Sequence, residues 1–120
     1  MIAADQGQAE EALSLARQHL PIARDNGRLD LSVAFSRVGY VLAHAGRTAG
    51  AVRILSCSEV LTEEIDATEE PWVVRQNERT RAIAREELGE TAFAEAWEEG
   101  RALTPDEAVS LALRELERDA

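Results

Sequence analysis

The chain has no lysine and one cysteine, and each scarcity closes off a class of protein. All thirteen basic side chains are arginine, so no P-loop lysine exists to hold a nucleotide phosphate. A G-x-S-x-G elbow and a dinucleotide fingerprint are absent as well. The lone Cys57 permits no internal disulfide, which is consistent with a reducing compartment. Only two histidines are present, His19 and His44, in separate segments with no Cys or His beside them. A zinc or iron site takes several ligands at recognisable spacing, so neither a metal nor a cofactor is expected. Aromatic residues make up 4% of the chain, which disfavours sheets. No apolar run approaches the ~20 residues of a membrane span. The start, Met1-Ile2-Ala3-Ala4-Asp5, lacks the basic-then-apolar pattern of a secretory signal, and a cytoplasmic location is expected.

Acidic charge is what the chain has in excess. The net charge is -10. Residues 1–60 hold six acids and six arginines, while residues 61–120 hold seventeen acids and seven arginines, so the second half carries the whole imbalance. Such a surface repels phosphate backbones and anionic lipid, which argues against nucleic-acid and membrane partners and favours a basic protein partner. The absence of lysine, together with abundant alanine, reads as GC-rich coding and carries no functional weight.

The apolar pattern is helical throughout, and one domain over residues 1–120 is expected. A glycine-led unit beginning at Gly7 returns at Gly46, 39 residues on, and again near Gly89. That period is the mark of a helical repeat array, an all-α superhelix of about six helices here. The first helix is expected over Gln8–Asp25, with Ala9, Leu13, Ala16 and Leu20 on one stripe, kinked or divided at Pro21 and ended by Gly27. Asp30 caps a second helix over Leu31–Ala45, in which Gly39 marks a close helix–helix approach and Gly46 closes the run. Thr48 caps a third, to about Asp66, with Cys57 on its apolar stripe. Pro71 opens a fourth, ended by Gly89, whose stretch Arg75–Arg81 is polar and outward. A short fifth carries Phe93, Ala96 and Trp97 and stops at Gly100. The run Thr104-Pro105-Asp106-Glu107 is a capping box that opens the sixth.

No catalytic constellation emerges, and a non-enzymatic chain is expected. Cys57, with Ser56, Ser58 and Glu59 beside it, lacks the basic neighbours of a reactive thiol and reads as a core residue. Glu63, Glu64, Asp66, Glu69 and Glu70 lack the alternation and central glycine of a calcium loop, and read as a solvated helix end and linker. Trp97 reads as core. Trp72, at a helix start, is the candidate exposed anchor, because tryptophan is enriched at binding hot spots. Trp72, Tyr40, Glu69 and Glu70 are the candidate partner contacts. A pocket lined by Trp72 or Tyr40 would point instead to a small-molecule sensor. A third reading is a stand-alone adaptor or dimerisation module, self-associating through Leu13 and Leu20 of an N-terminal helix that has lost its neighbour.

The segment from Leu88-Gly89 through Phe93, Trp97, Gly100 and Thr104 to Glu107-Ala108 resembles a recurrent tail of the form LG-x-x-x-F-x-x-x-W-x-x-G-x-x-(L/M)-(S/T)-x-x-(E/Q)-A. That tail closes the tetratricopeptide-like array of large bacterial ATP-binding transcription regulators of the LuxR-type and MalT-like kind. Val38 to Gly46 resembles the helix before a repeat boundary in such arrays. Ala51 to Glu59 resembles their A-x-x-L-x-G-A-A-E helix, with Ser56 where glycine is common. The resemblance implies the C-terminal end of a longer array that receives a protein partner or a signal, with the ATPase and DNA-binding parts elsewhere.

Overall fold

Helix ends follow from local hydrogen-bond chemistry, and most of them lie where the sequence puts them. In the structure, a computed structural model that describes residues 2–117, five helices form: α1 (Ile2–Asn26), α2 (Arg28–His44), α3 (Thr48–Glu64), α4 (Pro71–Arg101) and α5 (Pro105–Glu117). No strand occurs among the described residues. Between α2 and α3, Gly46 adopts φ 80° after Ala45, and Arg47 N–H bonds to Leu42 O at 2.9 Å while Gly46 N–H bonds to Ala43 O at 3.2 Å. These are the two bonds of a Schellman motif. Glu70 caps α4 with Pro71 in its first turn, where the missing N–H costs nothing. Both arms of the Thr104 capping box are made: Glu107 N–H to Thr104 Oγ1 at 3.1 Å, and Thr104 N–H to Glu107 Oε1 at 2.9 Å. Thr104→Ala should therefore cost about 1 kcal/mol, read as a lowered urea midpoint with unchanged slope.

Four expectations are corrected. α1 begins at Ile2, ahead of Gln8, and runs through Pro21 without dividing, because the fully buried Leu20 and Ala23 hold the helix to the core on both sides of the ring. The cap of α2 is Gly27, not Asp30, which sits in the first turn near the positive helix end. The cap of α3 is Arg47, not Thr48; Thr48 is buried and its hydroxyl donates to the Glu87 carboxylate. Gly89 divides two helical arms as expected: at φ 81° and ψ 164° it is non-helical and kinks α4, so the expected fourth and fifth helices are the two arms of α4. Gly100 does not stop a helix; α4 continues past it to Arg101. Ala9 lies outside the residues whose side chains are described.

The α2–α3 hairpin is the centre of the fold. Gly39 sits against α3, where an added Cβ would lie 3.3 Å from Ala51 O and 3.5 Å from Leu55 Cβ, the close approach its position in the sequence implies. α1 packs on α2, α4 packs on both α3 and α2, and α5 lies across α3 and α1. Leu20, Phe35, Leu42, Ile54, Leu61 and Leu116 are sealed in the common core. Inside it, Ser58 Oγ reaches Ser32 O at 2.8 Å and Ser36 Oγ at 3.1 Å, so the buried hydroxyls are satisfied. The contact of α5 with α1, including Arg24–Asp106 at 3.2 Å, closes the chain on itself. In an open solenoid each unit meets only its neighbours. The radius of gyration, 13.3 Å, is that of a compact domain.

Candidate partner-binding cleft at Trp72

Four residues of α4, Trp72, Arg75, Gln76 and Arg79, are spaced so that they share one helical face. Arg37, Tyr40 and His44 are spaced likewise on α2. The packing of α4 on α2 brings the two stripes together. Tyr40, Trp72, Arg75, Gln76 and Arg79 line one open cleft of about 250 Å³. Trp72 is 42% exposed, and the Arg37 guanidinium lies 5.9 Å from its ring centroid, within cation–π range. His44 packs edge-on against Tyr40, with the ring centroids 4.4 Å apart. The tryptophan therefore stays on the surface with its ring framed by cations.

Two of the sequence-derived partner contacts, Trp72 and Tyr40, meet in this cleft. The other two do not line it. Glu69 accepts a hydrogen bond from Asn77 Nδ2 at 3.3 Å, and Glu70 is the exposed cap of α4. The residues that sequence reading passed over are Arg37, Arg75 and Arg79. The helical spacing from Trp72 to Arg79 was the available signal; the facing stripe on α2 was not visible without the packing. Reading Arg75–Arg81 as wholly outward also missed Asn77 and Thr80, which are buried. Gln76 Oε1 and Asn77 Oδ1 are buried acceptors with no donor among the described residues, and such groups are costly to leave unpaired.

Arginines without an ion pair are gathered around Trp72, whereas Arg17 and Arg114, also without an ion pair among the described residues, are not among those that line its cleft. Arg24, Arg28, Arg53, Arg81, Arg85 and Arg101 each pair with a carboxylate, Arg28 with Glu64 at 2.7 Å and Arg101 with Glu63 at 3.1 Å among them. Two acids of the dense cluster are thus partly neutralised. Arg37, Arg75 and Arg79 make no ion pair with any described residue.

A second cleft, of about 510 Å³, is lined by Phe93, Ala94 and Trp97 together with Glu59, Glu90, Glu98, Arg81 and Arg85. Trp97, expected in the core, is only half-buried and stacks on Phe93 at 5.8 Å. Arg81 and Arg85 lie over these rings but are held by Glu59 and Glu90, so both of its cations are already paired.

Cys57 is a core residue, 1% exposed, with Sγ 3.9 Å from Leu103 O. Burial, reinforced by the Glu64 charge, pushes its thiol from 9.0 to about 11. Because the folded value is the higher one, the stabilising contribution of the protonated thiol is complete below pH 9 and is lost as pH rises towards 11. At pH 8, iodoacetamide should label the native chain about 100-fold more slowly than the urea-unfolded chain. Equal rates would show an accessible thiol. His19 is exposed on α1, away from Cys57 in sequence, and no group of three His, Cys, Asp or Glu side chains converges to hold a metal among the described residues. None of the described helices is long and apolar enough to cross a membrane.

Comparison with known protein families, curated proteins and solved structures finds no match to this chain.

Proposed function

We propose that this chain is a non-enzymatic helical domain that receives a protein or peptide partner. The observation that carries this reading is the Trp72–Tyr40 cleft. An exposed tryptophan beside a tyrosine, in a groove between two packed helices, has the composition of a binding hot spot. In this reading the domain is a tetratricopeptide-like array terminus in a bacterial transcription regulator of the LuxR-type, MalT-like kind, as the tail from Leu88 to Ala108 suggests. The α2–α3 hairpin is then the repeat unit, and the fold-back of α5 onto α1 is the cap that ends the array. Exposed Leu15 and Ile22 on α1, with Leu29 at the start of α2, offer the surface on which an upstream repeat or a second copy would stack.

Sensing of a small molecule is the second reading, because the cleft holds both aromatic residues on which a ligand would pack. Its volume of about 250 Å³ and its open shape favour the partner reading, since ligand pockets enclose roughly 300–1,000 Å³. The test is site-specific photo-crosslinking in the source cells, with p-benzoylphenylalanine in place of Trp72 and, as control, of exposed Glu86. A discrete protein adduct from position 72 alone is the expected result. No adduct, or the same adducts from both positions, would remove the partner reading.

A further inference from the structure

We infer that the Trp72 cleft recognises an acidic segment of a partner protein, one carrying carboxylates about one helical turn apart next to an apolar side chain. This rests on the partner-binding reading above and names the chemistry of the partner. The argument begins with where the chain leaves its cations unpaired. Six of the 13 arginines hold a carboxylate among the described residues, and five, Arg17 and Arg114 among them, do not. Three that do not, Arg37, Arg75 and Arg79, are gathered around one exposed tryptophan.

Arg75 and Arg79 are one helical turn apart, so their Cβ atoms stand roughly 6 Å apart. Two guanidinium groups at that spacing match two carboxylates on an incoming helix turn or on alternate residues of an extended strand, and guanidinium binds carboxylate in a two-pronged fashion. Trp72 and Tyr40 supply the flat apolar floor on which a neighbouring leucine or aromatic side chain would pack. The acids nearest in sequence do not oppose this. Glu69 is bonded to Asn77, and neither Glu69, Glu70 nor Glu78 lines the cleft. The overall charge of -10, which led to the expectation of a basic partner, repels an acidic one at long range, but that repulsion is screened beyond ~8 Å at physiological salt, and at this cleft the local cations set the opposite preference.

The size of the cleft selects a protein segment over a free metabolite. About 250 Å³, open to solvent, accommodates one or two side chains and does not enclose a whole ligand. The Phe93–Trp97 cleft makes the contrast: its arginines already hold Glu59 and Glu90, and Glu98 is left over, so it has no cation to offer an acidic segment.

The test uses the full chain and three probes: a fluorescein-labelled nonapeptide with four glutamates interspersed with leucines, the same peptide with lysines for glutamates, and free benzoate. Anisotropy should show the glutamate peptide binding at least about tenfold more tightly than the lysine peptide. The double variant Arg75→Glu/Arg79→Glu, both sites exposed, should invert that order, and Trp72→Ala should weaken the glutamate peptide about tenfold. Circular dichroism confirms that each variant is folded. Equal binding of the two peptides, preference for the lysine peptide, or no binding of the glutamate peptide would overturn the inference, as would its displacement by benzoate at concentrations near the peptide's own. If the glutamate peptide fails while position 72 still gives a discrete protein adduct, the acidic chemistry falls and the partner reading stands. If both fail, both fall.

Discussion

Gly100→Ala should destabilise the chain by about 3 kcal/mol or more and lower its Tm by about 10 °C, although it adds a single methyl group and improves helix propensity. The methyl carbon would lie 2.3 Å from Arg53 O, 2.8 Å from Arg53 Cα and 2.7 Å from Ser56 Cβ. Two of these neighbours are backbone of α3, which cannot rotate away as a flexible side chain can. α3 and α4 would have to separate, and this would pull on the Ser56 hydroxyl that donates to Trp97 O at 2.6 Å and on the Arg53–Glu99 ion pair at 2.8 Å. Gly46→Ala is the control for backbone strain alone, because φ is +80° there and nothing lies within 4 Å of the added carbon. Its cost should be about 1–2 kcal/mol. A thermal melt in which Gly100→Ala falls no further than Gly46→Ala would show that α3 and α4 are not in close contact at this point.

Leu20→Glu should leave the chain unfolded, while Leu15→Glu and Ile22→Glu should leave it folded. Leu20 is fully buried between α1 and the rest of the core, and a carboxylate there would be taken out of water without a partner. The expected loss, about 4–5 kcal/mol or more, is comparable to the whole stability of many small domains. Leu15 and Ile22, each 56% exposed, lie seven residues apart on the opposite side of the same helix. This corrects the assignment of Leu13 and Leu20 to a self-association surface: both are buried within the chain's own core. Sedimentation of Leu15→Glu and Ile22→Glu is the right test of self-association. Circular dichroism of Leu20→Glu tests the core; a folded Leu20→Glu chain would overturn the packing of α1.

Legibility in the sequence followed the range of the interaction. The Thr104–Glu107 box, Pro71 at the start of α4 and Gly46 at the end of α2 involve partners within a few residues, and all three lie where their residue types put them. Cys57 and Gly39 were legible because each sits on an apolar stripe that has only one way to face. The caps assigned to Asp30 and Thr48 failed because a good capping side chain does not by itself start a helix; Gly27 and Arg47 take those positions, and Thr48 is drawn inward to Glu87 from another helix.

The sequence by itself determined an all-helical chain, the places where most helices turn, and a tryptophan set at a helix start. Those properties rest on propensity, capping and period, which act within one or two turns. Only the tertiary structure decided which apolar face of α1 is inside, that Gly100 is a contact point and not a stop, and that Arg37 and Tyr40 of α2 meet Trp72, Arg75 and Arg79 of α4. Each of these depends on which helices become neighbours. The deciding forces are burial and close packing between segments tens of residues apart, and no local pattern encodes them.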